Sequence, residues 1–445
     1  MPERFWFWSR AQRQNQWTVI VDMDQSGSMA DSVVYGAVTG SIFASLPALN
    51  TRVVVPLIPL ADAPRPARNL NPVFEIDGAR YYLATQQLSA VELKELGGKA
   101  GSRPEQQGFD ESLGFISGAA MYLPEKDKGV VNAKQPWDPI DRFLWPNLPY
   151  MVQFNGSKMF APKGYMTDYL TDEAIKSIKA NKNRPFFIYF APNAIHTPLQ
   201  AKKEDYDALP QIKDHRLRVY GAMARNLDHN VGRILQTLKD EGLDDNTLVI
   251  FTSDNGGAGY IGLPDVNRPY RGFKSTFFEG GIHAPFFMRY PGVIKAGTQF
   301  APPVGHIDIF ATAAGAAGAK VPTDRVVDGV NLLPYFAGKA TGRPHQVMFW
   351  RSGQYQVVRD GDWKLQVNGA RNKIWLFDLA KDPTEKVDLS TREPARVKAM
   401  QALLAAQNAQ TVKPMWPSLL QGPVFVDHPS GVPQKPGEAY ILWDN

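Results

Sequence analysis

The chain has 445 residues, enough for one large domain and a smaller one, and its 44% hydrophobic and 21% charged content is that of an ordinary globular protein. Its net charge of +5, from 49 basic against 44 acidic residues, is not concentrated in any long block, which excludes a nucleic-acid-binding tail and implies only a mild attraction for anions. It contains no cysteine, so disulfides, thiolate metal sites and a cysteine-derived nucleophile are all excluded within this chain.

Residues 1–17 mix Arg4, Arg10 and Arg13 with Phe5, Trp6, Phe7 and Trp8 and build no signal-peptide core. Residues 33–49 are the most apolar candidate for a membrane span, but they are short and carry Gly36, Gly40 and Pro47. A cytoplasmic chain without a membrane span is therefore expected. The first predicted strand is 18–22, followed by turn chemistry at Gln25 to Ser28, a helix over 33–46 and a β-branched run at 52–55. Proline and arginine punctuate the next stretch, and residues 57–97 take no assignment.

Residues 122–165 are rich in Pro, Trp, Phe and Tyr, as expected either of a long loop shaping a substrate pocket or of an aromatic cover over a sheet. Leu170, Ala174, Ile175 and Ile178 mark one amphipathic helix; Val219, Met223, Leu227, Val231, Ile234, Leu235 and Leu238 mark a longer one. Strands are predicted at 186–191 and 247–253, and His306-Ile307-Asp308 opens another helix. This alternation predicts an α/β fold with a mainly parallel sheet flanked by helices. From His345 it stops: short strands at 356–359, 363–367 and 374–378, separated by Asp360-Gly361-Asp362 and Asn368-Gly369, predict a small antiparallel subdomain. A helix over 396–407 and a proline-rich tail, expected to wrap the surface, complete the chain.

The strongest chemical signal is Asp254-Asn255-Gly256-Gly257, directly after an apolar strand. A carboxylate and an amide there offer hard oxygen ligands at the carboxyl edge of a sheet, although Asn-Gly is also a hairpin turn signal. Its company consists of His196-Thr197-Pro198 and of Arg271-Gly272-Phe273-Lys274-Ser275-Thr276 leading to Glu279-Gly280-Gly281. With these motifs, residues 108–389 resemble a sulfatase of the alkaline-phosphatase superfamily.

The resemblance implies hydrolysis of sulfate monoesters, with a small-molecule or glycan sulfate ester as partner. It implies Ca²⁺ or Mg²⁺ held by Asp254 and Asn255, Lys274 gripping the sulfate, and His196 as the histidine of a Pro-His-x-Pro motif, here with Ile195 in place of proline. Lys99 matches a second sulfate ligand, in Gly98-Lys99-Ala100-Gly101 where the family writes Gly-Lys-Trp-His-Leu-Gly. His283 stands where relatives often have arginine, as a substrate contact or a packing residue. Members of the family are often exported. The expected division is an atypical N-terminal segment over 1–97, an α/β core over 98–344, and a C-terminal subdomain with its tail over 345–445.

The departures matter as much. The family makes its formylglycine nucleophile within Cys/Ser-x-Pro-x-Arg; no cysteine is present, and Ser102-Arg103-Pro104-Glu105-Gln106 has glutamine in place of arginine. The family's paired metal aspartates are missing from their usual context. Asp22 and Asp24, after the first strand, could complete a site with Asp254 and Asn255; the plainer reading is an N-terminal piece of other origin. Two protein oxygens fall short of the roughly six to eight that Ca²⁺ prefers, so low occupancy is expected, together with poor or absent hydrolysis of aryl sulfates. Residues 1–55 resemble the opening of a von Willebrand factor A domain through Asp24, Ser26 and Ser28, which implies metal-dependent protein binding as the alternative. A phosphoesterase of the same superfamily is a further one.

Overall fold

The computed structural model describes residues 18–22, 57–59, 74–76, 79–83, 109–115, 120–411, 422–433 and 435–443. Its central sheet is made of β1 (Thr18–Asp22), β2 (Phe186–Phe190), β3 (Thr247–Thr252) and β4 (Phe286–Arg289), in the order β4-β3-β1-β2. β1 is parallel to both neighbours, with Asp22 opposite Phe251 on one side and Phe190 on the other, and only β4 runs antiparallel. The run Phe-Phe-Ile-Tyr-Phe and the Leu-Val-Ile-Phe interior of β3 are continuous hydrophobic stretches because both faces of these strands are covered. β1, read from the sequence as the start of a piece of other origin, lies between them.

Alternation along β2 divides the core. Phe186 and Phe190 join the cluster under α1 (Met166–Asn181) and α2 (His215–Asp240), which contribute Leu170, Ile178, Val219, Met223, Ile234 and Leu238. Phe187 faces the other cluster, where α3 (Ile307–Ala316) lays Ile309, Phe310, Ala313 and Ala314 on Leu248 and Ile250. Helix α2 begins where Asp214 accepts the Leu217 N–H at 2.8 Å, an N-cap that satisfies one of the donors left over by the first turn. Among the described residues no helix is long and apolar enough to cross a membrane.

The C-terminal sheet is antiparallel: β5 (Val347–Ser352), β6 (Tyr355–Asp360), β7 (Trp363–Asn368) and β8 (Lys373–Asp378), in that order. One face takes Met400 and Leu404 of α4 (Pro394–Gln410); the other meets Phe278 through Tyr355, Val357, Trp375 and Phe377. β5 had no counterpart in the sequence reading, since Gly353 alone marks its turn.

Two expectations are corrected. Residues 122–165 are not one loop: Val130–Ala133 pairs with Leu199–Lys202, Pro139–Asn147 is helical, and Tyr122, Trp145 and Tyr165 are buried while Phe154 and Phe160 are exposed. The tail does more than wrap the surface, because Gly422–Phe425 and Tyr440–Trp443 form a hairpin and Val426 and Ile441 are buried beside Phe377. The unassigned stretch holds a three-stranded antiparallel sheet of Leu57–Pro59, Phe74–Ile76 and Ala79–Leu83.

Candidate active site

The chain leaves β3 through a tight turn at the carboxyl edge of the sheet. Asn255 N–H donates to Asp254 Oδ1 at 2.8 Å, Ser253 Oγ donates to Asn255 O at 3.0 Å, and Asn255 Nδ2 donates to Gly256 O at 3.0 Å. With its Nδ2 directed at the backbone, Asn255 has Oδ1 as the atom it can offer to a ligand. Behind the turn, His306 Nε2 lies 2.9 Å from Ser253 O and 3.1 Å from Thr252 Oγ1. His306 is held at the start of α3 by Asp308, whose buried carboxylate accepts from Gly305 N–H, Val330 N–H and His345 Nε2.

The turn is stitched to the lysine segment through the main chain. Gly256 N–H donates to Gly281 O at 2.9 Å, and a Cβ on Gly256 would sit 1.8 Å from Gly280 O, so only glycine permits the approach. Asn267 takes the Gly257 N–H on its Oδ1 at 2.7 Å and spans Gly257 O and Gly272 O with its Nδ2. Lys274 N–H donates to Gly257 O at 3.0 Å, and Ser275, the next residue, has a left-handed φ of 71°.

Lys274 is almost fully buried, and its charge acts on His196. His196 follows β2, where Tyr122 OH donates to His196 O at 3.0 Å. Burial, then Lys274, lowers the imidazole pKa to about 3, against the opposing hydrogen bond to Thr197. The ring is therefore neutral near pH 7. Its Nδ1–H donates to Thr197 O at 2.8 Å, and its Nε2 accepts from Tyr260 OH at 3.0 Å. Asp254, Asn255, Lys274 and His196, expected as one site, thus lie in neighbouring, directly bonded or electrostatically coupled segments.

His283 is exposed, at the end of the segment that follows Lys274. It stacks on Tyr270 with ring centroids 4.3 Å apart and contacts Glu279 Oε2 through Nδ1 at 2.9 Å. Glu279 pairs with Lys364 at 2.7 Å, and Lys364 also meets Glu385 at 2.9 Å, all three buried. Burial works against the charge on Glu279, but Lys364 and His283 outweigh it and hold its carboxyl far below the ordinary range. The network continues through Gln366 to Tyr355, whose hydroxyl accepts from Phe277 N–H at 3.0 Å, so the C-terminal sheet fastens the lysine segment from behind.

Asp22 ends β1 at the same edge of the sheet, opposite Phe251. Asp24 and Lys99, with Ser26 and Ser28 of the von Willebrand resemblance, lie outside the described residues. Among the described residues no group of three His, Asp or Glu side chains is placed to hold a metal ion. Asp254 and Asn255 nonetheless fit a hard divalent cation in the kind of donor they offer, and β1 brings Asp22 to the edge where further oxygen would be needed. Three participants were not singled out from the sequence: Tyr260, Asn267 and His306. Asn267-Arg268-Pro269 reads as an ordinary turn, Tyr260 sits in no motif, and His306 was read only as a helix start.

A family model described as Sulfatase matches residues 81–319, more than half of the chain. The chain belongs to the sulfatase family. A model described as N-sulphoglucosamine sulphohydrolase, C-terminal, matches residues 272–413, which include the C-terminal sheet, and one described as CcdB protein matches residues 38–113. Human N-acetylgalactosamine-6-sulfatase is 30% identical over 360 residues, 73% of this chain and 66% of that protein. The Escherichia coli (strain K12) uncharacterized sulfatase YdeN is 29% identical over 347 residues, 68% of this chain and 56% of that protein. The chain thus spans about half to two thirds of the length of these curated relatives. Among solved structures, Ps i-CgsB, determined in complex with k-i-k-neocarrahexaose, superposes with a TM-score of 0.66 at 25% identity, covering 91% of this chain and 95% of that one. PsFucS1 sulfatase from Pseudoalteromonas sp. shares the fold with a TM-score of 0.54 at 19% identity, covering 90% and 92%. The family and the alkaline-phosphatase-like α/β fold are those the sequence motifs implied.

Proposed function

We propose that this chain recognises sulfate monoesters at the carboxyl edge of its α/β sheet, with the anion on Lys274 beside His196, and that its turnover is low. The observation that carries the reading is the seating of Lys274, whose backbone is bonded into the turn presenting Asp254 and Asn255 while its charge reaches His196. A compact ammonium suits a sulfuryl group, which has no planar fork to match. A hard divalent cation on Asp254 and Asn255 would add neutralisation of the non-bridging oxygens. The names of the curated relatives and the oligosaccharide held by Ps i-CgsB support a sugar ester as substrate class.

Low turnover follows from the sequence. Without Cys/Ser-x-Pro-x-Arg there is no formylglycine nucleophile, and hydrolases stripped of theirs keep only about 10³ to 10⁴ of acceleration over water. Calorimetry with inorganic sulfate tests the site: Lys274→Ala should weaken binding at least tenfold, and unchanged binding would reject it. An assay with 4-nitrophenyl sulfate should show no robust turnover. Rapid, Lys274-dependent release of 4-nitrophenol would overturn that part.

A further inference from the structure

The bend that leads from the strand Val130–Ala133 into the helix Pro139–Asn147 is closed by buried polar side chains that the sheet-edge site does not use. Gln135, Asp138 and Asp141 are only 0%, 6% and 1% exposed, so water does not reach them freely. Gln135 N–H donates to Asp141 Oδ2 at 2.7 Å, and Trp145 Nε1–H donates to the same oxygen at 2.9 Å. Asp141 N–H donates to Asp138 Oδ2 at 2.9 Å, and Asp138 N–H donates to Gln135 O at 3.0 Å. The side chain of Gln135 turns its Nε2 to Ala133 O at 2.9 Å.

Two acceptors are left over. Asp141 Oδ1 and Gln135 Oε1 are buried and have no hydrogen-bond partner among the described residues, a costly state for a polar atom. Neither can supply a hydrogen to the other. Asp141 forms no ion pair among the described residues, and the ammonium of Lys134, whose charge reaches it, is bound to Glu125 at 2.6 Å. Burial raises the Asp141 carboxyl above its ordinary range in spite of the hydrogen bonds from Gln135 and Trp145, which means that its negative charge is short of positive partners. A water molecule would serve both oxygens without balancing that charge. A hard cation does both.

We propose that Gln135, Asp138 and Asp141 form a structural cation site, separate from the sheet edge, that takes Ca²⁺. Oxygen-only donors select a hard ion, and two carboxylates match a divalent charge; main-chain carbonyls and water complete the shell of roughly six to eight oxygens. The same bend carries Trp137, whose Nε1–H donates to Tyr260 O at 3.3 Å, in the turn whose Gly259 O also accepts Ser430 N–H at 2.9 Å. A cation here braces the support of that turn without touching the sheet edge. The inference is independent of the sulfate-ester reading above.

Tb³⁺, a luminescent stand-in for Ca²⁺, tests the site directly, because Trp145 is bonded to the Asp141 carboxylate and can pass excitation energy to an ion held there. Excited through tryptophan, the wild type should give Tb³⁺ emission that Ca²⁺ displaces; Asp254→Ala should retain it and Asp141→Asn should lose it. Gln135→Leu, which removes one neutral ligand and leaves both carboxylates, should weaken Tb³⁺ binding by roughly tenfold or more. Ca²⁺ should raise the unfolding midpoint of wild type and of Asp254→Ala, but not that of Asp141→Asn. Asparagine keeps an oxygen for Gln135 N–H and Trp145 and offers N–H where Oδ1 stood, so this variant should fold and, without Ca²⁺, unfold no earlier than wild type. Emission kept by Asp141→Asn, binding unchanged in Gln135→Leu, or emission lost only in Asp254→Ala places the metal elsewhere and overturns the proposal. No Tb³⁺ or Ca²⁺ effect on wild type overturns it too, and leaves a buried water or a proton on Asp141 to serve the two oxygens.

Discussion

The edge of the α/β sheet and the seam between that domain and the C-terminal sheet bury similar side chains to different ends. In the seam, Lys364 is fully enclosed between Glu279 and Glu385, with Gln366 and the Glu279 N–H completing the set. Its counter-charges are part of the fold, and the result is a fastener. At the edge, Lys274 is fixed by its backbone, and the surrounding turns are tied by main-chain bonds and the amide of Asn267. A buried lysine alone does not mark a site. Lys364 is enclosed by carboxylates that belong to the fold, whereas the backbone of Lys274 is bonded into turns that also carry ligand-type groups.

The largest expected effect lies in the seam. Lys364→Met leaves two carboxylates buried without a cation and should cost about 3–5 kcal/mol of stability in thermal or denaturant unfolding. Adding Glu279→Gln and Glu385→Gln should recover most of the loss. No recovery would mean that Lys364 supports the sheet by packing alone.

The two regions also separate by pH. Folded His196 titrates near 3 against 6.5 for the free side chain, so the unfolded chain binds more protons between those values. Its contribution is full above about pH 6.5 and is lost as pH falls toward 3, amounting to about 2 kcal/mol by pH 5. Glu279, whose pKa is depressed from 4.5, keeps its contribution until pH falls below that value. His196→Gln should therefore reduce the slope of the stability profile between pH 6.5 and 4.5, leaving the part owed to His306, whose pKa burial also lowers, while Glu279→Gln should leave the slope there unchanged. A slope undiminished by the His196 change would move the titrating group elsewhere.

The smallest effect is expected at the rim of the seam. Arg271 holds Asp427 in a two-point contact at 2.6 and 2.8 Å, with both side chains partly in solvent. Arg271→Ala should cost no more than about 1 kcal/mol, less at high salt. A larger loss would place Arg271 among the fasteners, through its contact with Glu385 O.

Period and punctuation made most of the fold legible. The 3.6-residue spacing in α1 and α2, the apolar runs of β2 and β3, and the Asp-Gly and Asn-Gly turns of the C-terminal sheet all lie where the sequence placed them. What escaped was decided by long-range contact. Val130–Ala133 is a strand because Leu199–Lys202 lies beside it, and the tail hairpin is ordered by the apolar face that receives Ile441. At the site, Asp254, Asn255, Lys274 and His196 were visible as motifs, whereas Tyr260, Asn267 and His306 work through hydrogen bonds that lie in no motif and leave no pattern along the chain.

The contact of Ser430 N–H with Gly259 O joins positions that leave the ribosome far apart in time. Every candidate site residue is synthesised well before Ser430, and so is every strand of the central sheet. A nascent chain halted after α4 would hold all of them and still lack the bond that closes the Tyr260 turn. Gly431, which packs on Trp137, and Asp427, the partner of Arg271, would be missing too. The segment around Ser430 must therefore be made before the Tyr260 turn can close, well after the strands of the central sheet and the Asp254 turn have left the ribosome.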